Sequence, residues 1–390
     1  MTDVVIVGAG RSPVGRRGGV LSGVHPADLL GTVQKAVIER AGIQPEDIGQ
    51  VIGGCVSQVG EQTMNIARTA WLTAGLPIGV AATTVDTQCG SSQQATALAI
   101  SLVASGAVDV AMGCGVEAMS RVPMGSSSAD WGHPFPPTYA ARYQETSQFE
   151  GAELIAQAWD ISREDTDLFG LRSQQLAAEA WAAGRFADQI VPIEAPVIGP
   201  DKQPTDERHV VDRDQGLRET TLENLGNLKP VLEGGVHTAG SASQISDGAS
   251  AIIVTTAERA AELGLTPLAR IVDHCLVGSD PVKMLTGPIP ATQRLLERNA
   301  MTLDDIDVVE INEAFASVVL AWQRELGVDF EKVKVNPNGG AIALGHPLGG
   351  TGAGLVTKAA YELQRNGGRR AIVTMCCGGG VGTGLLLEKA

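Results

Sequence analysis

The chain has 390 residues, 48 of them glycine, with 44% hydrophobic, 19% charged and only 4% aromatic residues. That length predicts two to three domains, the composition excludes a disordered chain, and the lack of a Gly-X-Y period excludes collagen. The net charge of −15, from 29 basic and 44 acidic residues, argues against an extended nucleic-acid or anionic-membrane surface.

Asp3–Val7 predicts a first strand rather than a leader peptide. Gly8-Ala9-Gly10 predicts the turn after it; a dinucleotide fingerprint would need glycine where Pro13 stands. Ala27–Arg40 has apolar residues at helical spacing, Val51–Cys55 is strand-like and Met64–Leu72 helical. Ser91–Ala104 predicts an apolar helix of small residues, and Val108–Met112 a strand. This alternation favours α/β layers. Residues 118–150 are rich in Ser, Pro and Gly, with Trp131, Phe135 and Tyr139 interspersed. Helices follow near Ala152–Trp159 and Arg163–Ala183, residues 196–240 are polar and turn-rich, and the α/β rhythm resumes near Ala249. Residues 118–245 therefore read as a loop-rich insertion. No apolar run approaches the ~18 residues of a membrane span.

The C-terminal third echoes the N-terminal third. Val37–Val51 and Leu295–Val309 are identical at five of 15 positions without a gap. Met112, Cys114 and Gly115 echo Met375, Cys377 and Gly378 in the same order. Chance similarity of two helix-turn-strand units is the rival explanation. The shared order favours duplication, with a site at the junction of two halves.

Four places could carry chemistry. Cys89, in Gln88-Cys89-Gly90-Ser91, sits at a predicted helix N-terminus, where the helix dipole lowers a thiol pKa; an inert buried cysteine is the alternative. His346 precedes Pro347 at a second predicted helix entrance, as an accessible base requires, or is a turn histidine. Cys376 leads Cys377-Gly378-Gly379-Gly380, whose backbone N–H groups could meet a ligand oxygen; a vicinal disulfide or a plain glycine turn is the rival. Asn312 either caps a helix over Glu313–Leu326 or holds a water at an active site. The six histidines are never closer than 28 positions, so no short-range pair suggests zinc or another metal. The six cysteines (Cys55, Cys89, Cys114, Cys275, Cys376, Cys377) are too sparse for a disulfide scaffold and point to reduced thiols in a cytoplasmic protein.

Taken together, Gln88-Cys89-Gly90-Ser91, Asn312-Glu313-Ala314-Phe315-Ala316, Gly345-His346-Pro347-Leu348-Gly349 and Cys376-Cys377-Gly378-Gly379-Gly380 resemble the thiolases, the acetyl-CoA C-acyltransferase family, in order and spacing across nearly the whole chain. Arg11-Ser12-Pro13 resembles the family's start, and Thr238–Ser243 its coenzyme A loop. The resemblance implies an α/β fold of duplicated, five-layer α-β-α-β-α halves with an inserted loop domain. It divides the chain into a half at 1–117 completed by about 246–266, a loop domain at 118–245 for coenzyme A and oligomer contacts, and a half at 267–390.

It also implies roles. Cys89 would carry the acyl group, His346 would activate it and help bind a thioester oxygen, and Cys376 would be the acid/base at the acetyl α-carbon. Asn312 would hold a water in one oxyanion hole, and the N–H groups of Cys89 and Gly378 would form the other. Ser243 and Arg218 are the expected coenzyme A contacts, coenzyme A being a co-substrate with no tightly bound cofactor. The expected reaction is degradative thiolysis of a 3-ketoacyl-CoA; condensation of two acetyl-CoA, or an idle acyl-CoA-binding scaffold, are the alternatives. Ile52–Gln62, Leu232–Ala251 and Ile311–Trp322 look most like actinobacterial thiolases for bulky or steroid-side-chain acyl-CoAs. Ser92, Gln93, Ser241 and the stretch Ser147–Glu153 depart from the family pattern, which puts acetoacetyl-CoA in doubt as preferred substrate. A homo-oligomer, dimer or tetramer, is expected, with no nucleic-acid or membrane partner.

Overall fold

A computed structural model describes residues 3–128, 130, 132–201 and 203–390; Met1, Thr2, Ala129, Trp131 and Lys202 lie outside the described residues. Its strands are β1 Val4–Arg11, β2 Gly15–Arg16, β3 Gln50–Gly54, β4 Ala81–Val85, β5 Val110–Ala118, β6 Ile193–Ile198, β7 Pro204–Val211, β8 Ser246–Thr256, β9 Ala269–Gly278, β10 Val308–Ile311, β11 Lys334–Val335, β12 Arg370–Cys377 and β13 Val381–Lys389.

The duplication is written in the strand order. One half-sheet runs β4-β3-β5-β8-β1 and the other β11-β10-β12-β13-β9. In each, the first three strands pair parallel and the last two join antiparallel. A short ladder, Val5 to Arg270 and Ile6 to Ala269, links the halves at one edge. Val51 in β3 and Val309 in β10, which close the 15-residue sequence echo, occupy equivalent strands.

Two helices, Ser91–Ala104 and Leu348–Asn366, pack on each other and touch strands of both halves. They form a middle layer shared by the half-sheets. Both are rich in small residues because sheet covers them on both sides, and Leu348–Asn366 is buried through most of its length. Helices Pro26–Ala41 and Pro288–Arg298 cover the outer faces. The first is an amphipathic element with buried Leu29, Leu30, Val33 and Val37, closed by Gly42 at φ 73°. No helix among the described residues is long and apolar enough to cross a membrane.

Several sequence expectations need correction. Gly8 and Gly10 lie inside β1, not in a turn. Their role is close packing: a Cβ on Gly10 would stand 2.8 Å from the Val37 side chain. Residues 196–240 contain the β6–β7 hairpin and a short helix, Leu222–Gly226. β6 sends Ile193 and Ala195 into the core, but the exposed β7, with its run Thr205-Asp206-Glu207-Arg208-His209, hides the strand pattern.

Gly354 sits in the interior of helix Leu348–Asn366, beside a cavity of about 50 Å³ also lined by Arg11, Ser250 and Lys358. A Cβ there meets nothing closer than 3.9 Å. Gly354→Ala is therefore expected to stabilise the fold by about 0.5–1 kcal/mol, read as a raised urea midpoint at unchanged m-value. A lowered midpoint would mean the cavity cannot accept the methyl group.

Candidate active site

Cys89 stands on a tight turn between β4 and helix Ser91–Ala104. Gln88 takes φ 50°, a costly value for a side chain with a Cβ. The turn is held by Gly90 N donating to Thr87 O at 3.1 Å and by Ser91 Oγ, which accepts from Thr87 N and donates to Gln88 O. Gly90 is required because a Cβ would lie 2.6 Å from the Cys377 sulfur. Cys89 is 3% exposed. Burial pushes its thiol up to about 11, against the pull of the Gly378 backbone N–H on its sulfur. The expected lowering by the helix dipole is overturned: desolvation by burial outweighs it.

His346 follows Gly345, which at φ 109° with a would-be Cβ 2.4 Å from Ser246 Oγ must be glycine. The His346 N–H donates to Gln244 O and Ser246 Oγ. Helix Leu348–Asn366 begins directly after Pro347, which is its N-cap. Thr351 fixes the imidazole. Its hydroxyl donates to Pro347 O at 2.8 Å, so its oxygen is left to accept from His346 Nδ1 at 2.6 Å. Nδ1 then carries the proton and Nε2 the free lone pair, toward which Asn312 Nδ2 donates at 3.4 Å. Burial pushes the imidazole down to about 4, so this neutral base persists well below the usual histidine range.

Asn312 does not cap a helix. The helix runs Ala316–Leu326 with Phe315 at the N-cap position and no side-chain cap. Asn312 instead extends β10, its N–H donating to Thr374 O. Its side chain hydrogen-bonds Cys376 as well as His346, and its buried Oδ1 has no partner among the described residues. Cys376 and Cys377 are adjacent on β12, so they face opposite ways. Burial first, then the charge on Cys89, pushes the Cys376 thiol above its ordinary value. All six cysteines are free, which removes the vicinal-disulfide alternative.

Cys89 and His346 line a cavity of about 560 Å³. Ser243 and Arg218 line it too, and Ser243 N donates to Ala314 O, tying the coenzyme loop to the Asn312 segment. Gly378 adjoins Gln88. The structure thus brings all seven residues singled out in the sequence to one region. The walls also include Phe149 and Phe315, edge to face at 4.9 Å, and Met119, Met124 and Leu285.

Sequence reasoning missed the residues that hold this arrangement. Glu117, fully buried in β5, accepts from Val56 N, Ser57 N, Gln62 Nε2 and Gly349 N, and so pins the start of the His346 helix to the loop after β3. Glu313 accepts from Ser173 Oγ and Asn336 Nδ2, fixing the Asn312 segment. A lone acid inside an apolar strand, as in Val116-Glu117-Ala118, was the available signal. The departures at Ser92 and Gln93 are structural: Ser92 Oγ accepts from Ala353 N, and Gln93 bonds Val373 O and Thr383 Oγ1.

Comparison with known proteins shows which family the whole chain resembles. The family model "Thiolase, N-terminal domain" matches residues 4–258, and "Thiolase, C-terminal domain" matches 265–389. The chain is 46% identical over 399 residues to the steroid 3-ketoacyl-CoA thiolase FadA6 of Mycobacterium tuberculosis, covering 100% of this chain and 95% of that one. It is 43% identical over 406 residues to a beta-ketoadipyl-CoA thiolase of Pseudomonas putida, covering all of both. Among solved structures, the Bacillus anthracis acetyl-CoA acetyltransferase superposes with TM-score 0.91 at 38% identity, covering 100% of this chain and 99% of that one.

Proposed function

The chain belongs to the thiolase family, and from that premise we propose that it cleaves 3-ketoacyl-CoAs through an acyl group carried on Cys89. It is an acyltransferase whose substrates are coenzyme A thioesters. The observation that carries the assignment of roles is the convergence of Cys89, Asn312, His346 and Cys376, from four distant segments, with the Gly378 N–H on the Cys89 sulfur.

In this reading the Cys89 sulfur attacks the 3-keto carbon while its proton passes to His346 Nε2. The oxygen of the tetrahedral intermediate sits against the N–H groups of Cys89 and Gly378. The bond between C2 and C3 then breaks. The electron pair left on C2 takes a proton from Cys376, and acetyl-CoA departs. During this step its thioester oxygen faces His346 and a water held by Asn312, whose unpaired buried Oδ1 needs such a partner. Incoming coenzyme A gives its thiol proton to the Cys376 thiolate, and its sulfur attacks the acyl carbonyl. Cys89 leaves as thiolate and recovers its proton from His346. Atoms and charge balance with two thiols, one imidazole and no redox step. Ser243 and Arg218 stand on the coenzyme's path, Arg218 offering a guanidinium to a phosphate.

The acyl chain is bulky. Met119, Met124, Phe149 and Leu285 give an apolar wall with adaptable methionines, and a relative of this chain is named for steroid substrates. Thiolysis rates from acetoacetyl-CoA to steroid-sized 3-ketoacyl-CoAs test this directly. We expect kcat/KM to rise with acyl size; a strong preference for acetoacetyl-CoA would overturn it in favour of a condensing enzyme.

A further inference from the structure

Two cations on the cavity wall have no use in the mechanism above. Arg16 and Arg17 both line the cavity that holds Cys89 and His346. Neither guanidinium makes a hydrogen bond or ion pair among the described residues, in a chain of net charge −15. The nearby acids are already taken. Asp247 accepts from Ser120 N and Oγ, Asp214 from Arg11, and Glu61 from Arg121.

Backbone pairing places these arginines relative to the chemistry. His346 N donates to Gln244 O, and Ile245 bridges His346. On the far side of that segment, Arg17 N donates to Ile245 O, and Arg16 pairs with Ser246. Arg17 therefore stands two strand spacings, roughly 10 Å of backbone, from His346. Gly18 N donates to Ser120 Oγ and Met119 N to Ser246 O, so the pair adjoins the Met119 side of the cavity. A long arginine side chain from there can meet an acyl chain a few carbons beyond its reacting carbonyl. Arg218 lines the same cavity from the segment whose Gly216 O accepts from Gln244 Nε2, next to the coenzyme loop.

We propose that Arg16 and Arg17 select 3-ketoacyl-CoAs whose acyl chain ends in a carboxylate. A guanidinium pairs with a carboxylate through two parallel charge-assisted hydrogen bonds, whereas an alkyl end would leave both cations facing it without a partner. The apolar Met119 and Met124 beside them suit the methylenes in between. The proposal deepens the thiolase reading by naming the far end of its substrate, and it rests on that reading.

The test compares beta-ketoadipyl-CoA with 3-ketohexanoyl-CoA, which has the same chain length and a methyl end. The wild-type protein should favour the carboxylated thioester by about tenfold or more in kcat/KM, the low end for a hydrogen bond to a charged group because both arginines are solvent-exposed. In Arg16→Gln/Arg17→Gln that ratio should fall to near one, and Arg17→Lys should recover part of it. A ratio unmoved by the double substitution would overturn the proposal. So would an equal loss on both thioesters, because the arginines would then be holding coenzyme A phosphates. If the wild-type protein cleaves neither of these thioesters nor a steroid-sized 3-ketoacyl-CoA, the thiolase reading itself fails; if it cleaves only the steroid-sized one, that reading stands and the proposal falls.

Discussion

A Cys89→Ala variant is expected to lose thiolysis by about 10⁴-fold or more while keeping its fold and its coenzyme A binding. The sulfur is the atom the mechanism cannot replace. His346 has no other thiol to deprotonate toward the cavity: of the six cysteines, Cys89 alone is among the lining residues, and Cys376 is fully buried. Folding should survive because Cys89 contributes one small buried side chain on a turn held by backbone and Ser91. Circular dichroism and a thermal transition close to wild type establish the fold. Ordinary turnover by such a folded variant would exclude a Cys89 acyl-enzyme.

His346→Ala should cost about 10³-fold in kcat/KM, the usual scale for losing a positioned general base. The wild-type pH profile carries a sharper expectation. An ordinary histidine is half protonated at roughly 6.5, and one held there would halve the rate near neutrality. Burial pushes His346 down to about 4, so Nε2 stays free to take the Cys89 proton through the whole range above that value. Activity should thus be flat from neutral pH through 6 and decline only as pH approaches 4. Stability moves in the same direction. The unfolded imidazole gains a proton as pH falls through about 6.5, the folded one only near 4, so this group's contribution is complete above 6.5 and is lost on acidification between the two values. Initial rates at short times separate the two effects. An acid limb centred at 6.5 in a folded protein would mean that His346 is solvated as the base, contrary to its burial.

What the sequence disclosed and what it hid follow from the range of the interactions. Periodicity placed most helices and strands, because Ser91–Ala104 or Arg163–Ala182 carries its own pattern and Ser162 supplies a local cap. The duplication was visible in a 15-residue echo because equivalent strands face equivalent neighbours. Candidate residues were legible as residue types in glycine-rich settings. Their physical state was not. The Cys89 pKa was misjudged because a local helix end is readable in sequence, whereas burial under β12 and β13 is contributed by residues almost 290 positions away, as the Gln93–Thr383 bond illustrates. Asn312 was legible as a capping residue; only its pairing with β12 turns it toward His346 and Cys376. Arg11 with Asp214, 203 positions apart, and Glu117 with Gly349, 232 apart, are invisible for the same reason. So was the cationic pair at Arg16 and Arg17, since a count of charges cannot tell a paired arginine from a free one.

The central claim is that the acyl group passes through one thiol. The measurement that tests it most directly is to mix the protein with an excess of a 3-ketoacyl-CoA without free coenzyme A, quench in acid, digest and map the peptides by mass. The account predicts one acyl group, on the peptide bearing Cys89, that disappears when coenzyme A is added before the quench. An unmodified Cys89 peptide, or an acyl group on Cys376 that coenzyme A discharges at the turnover rate, would contradict it.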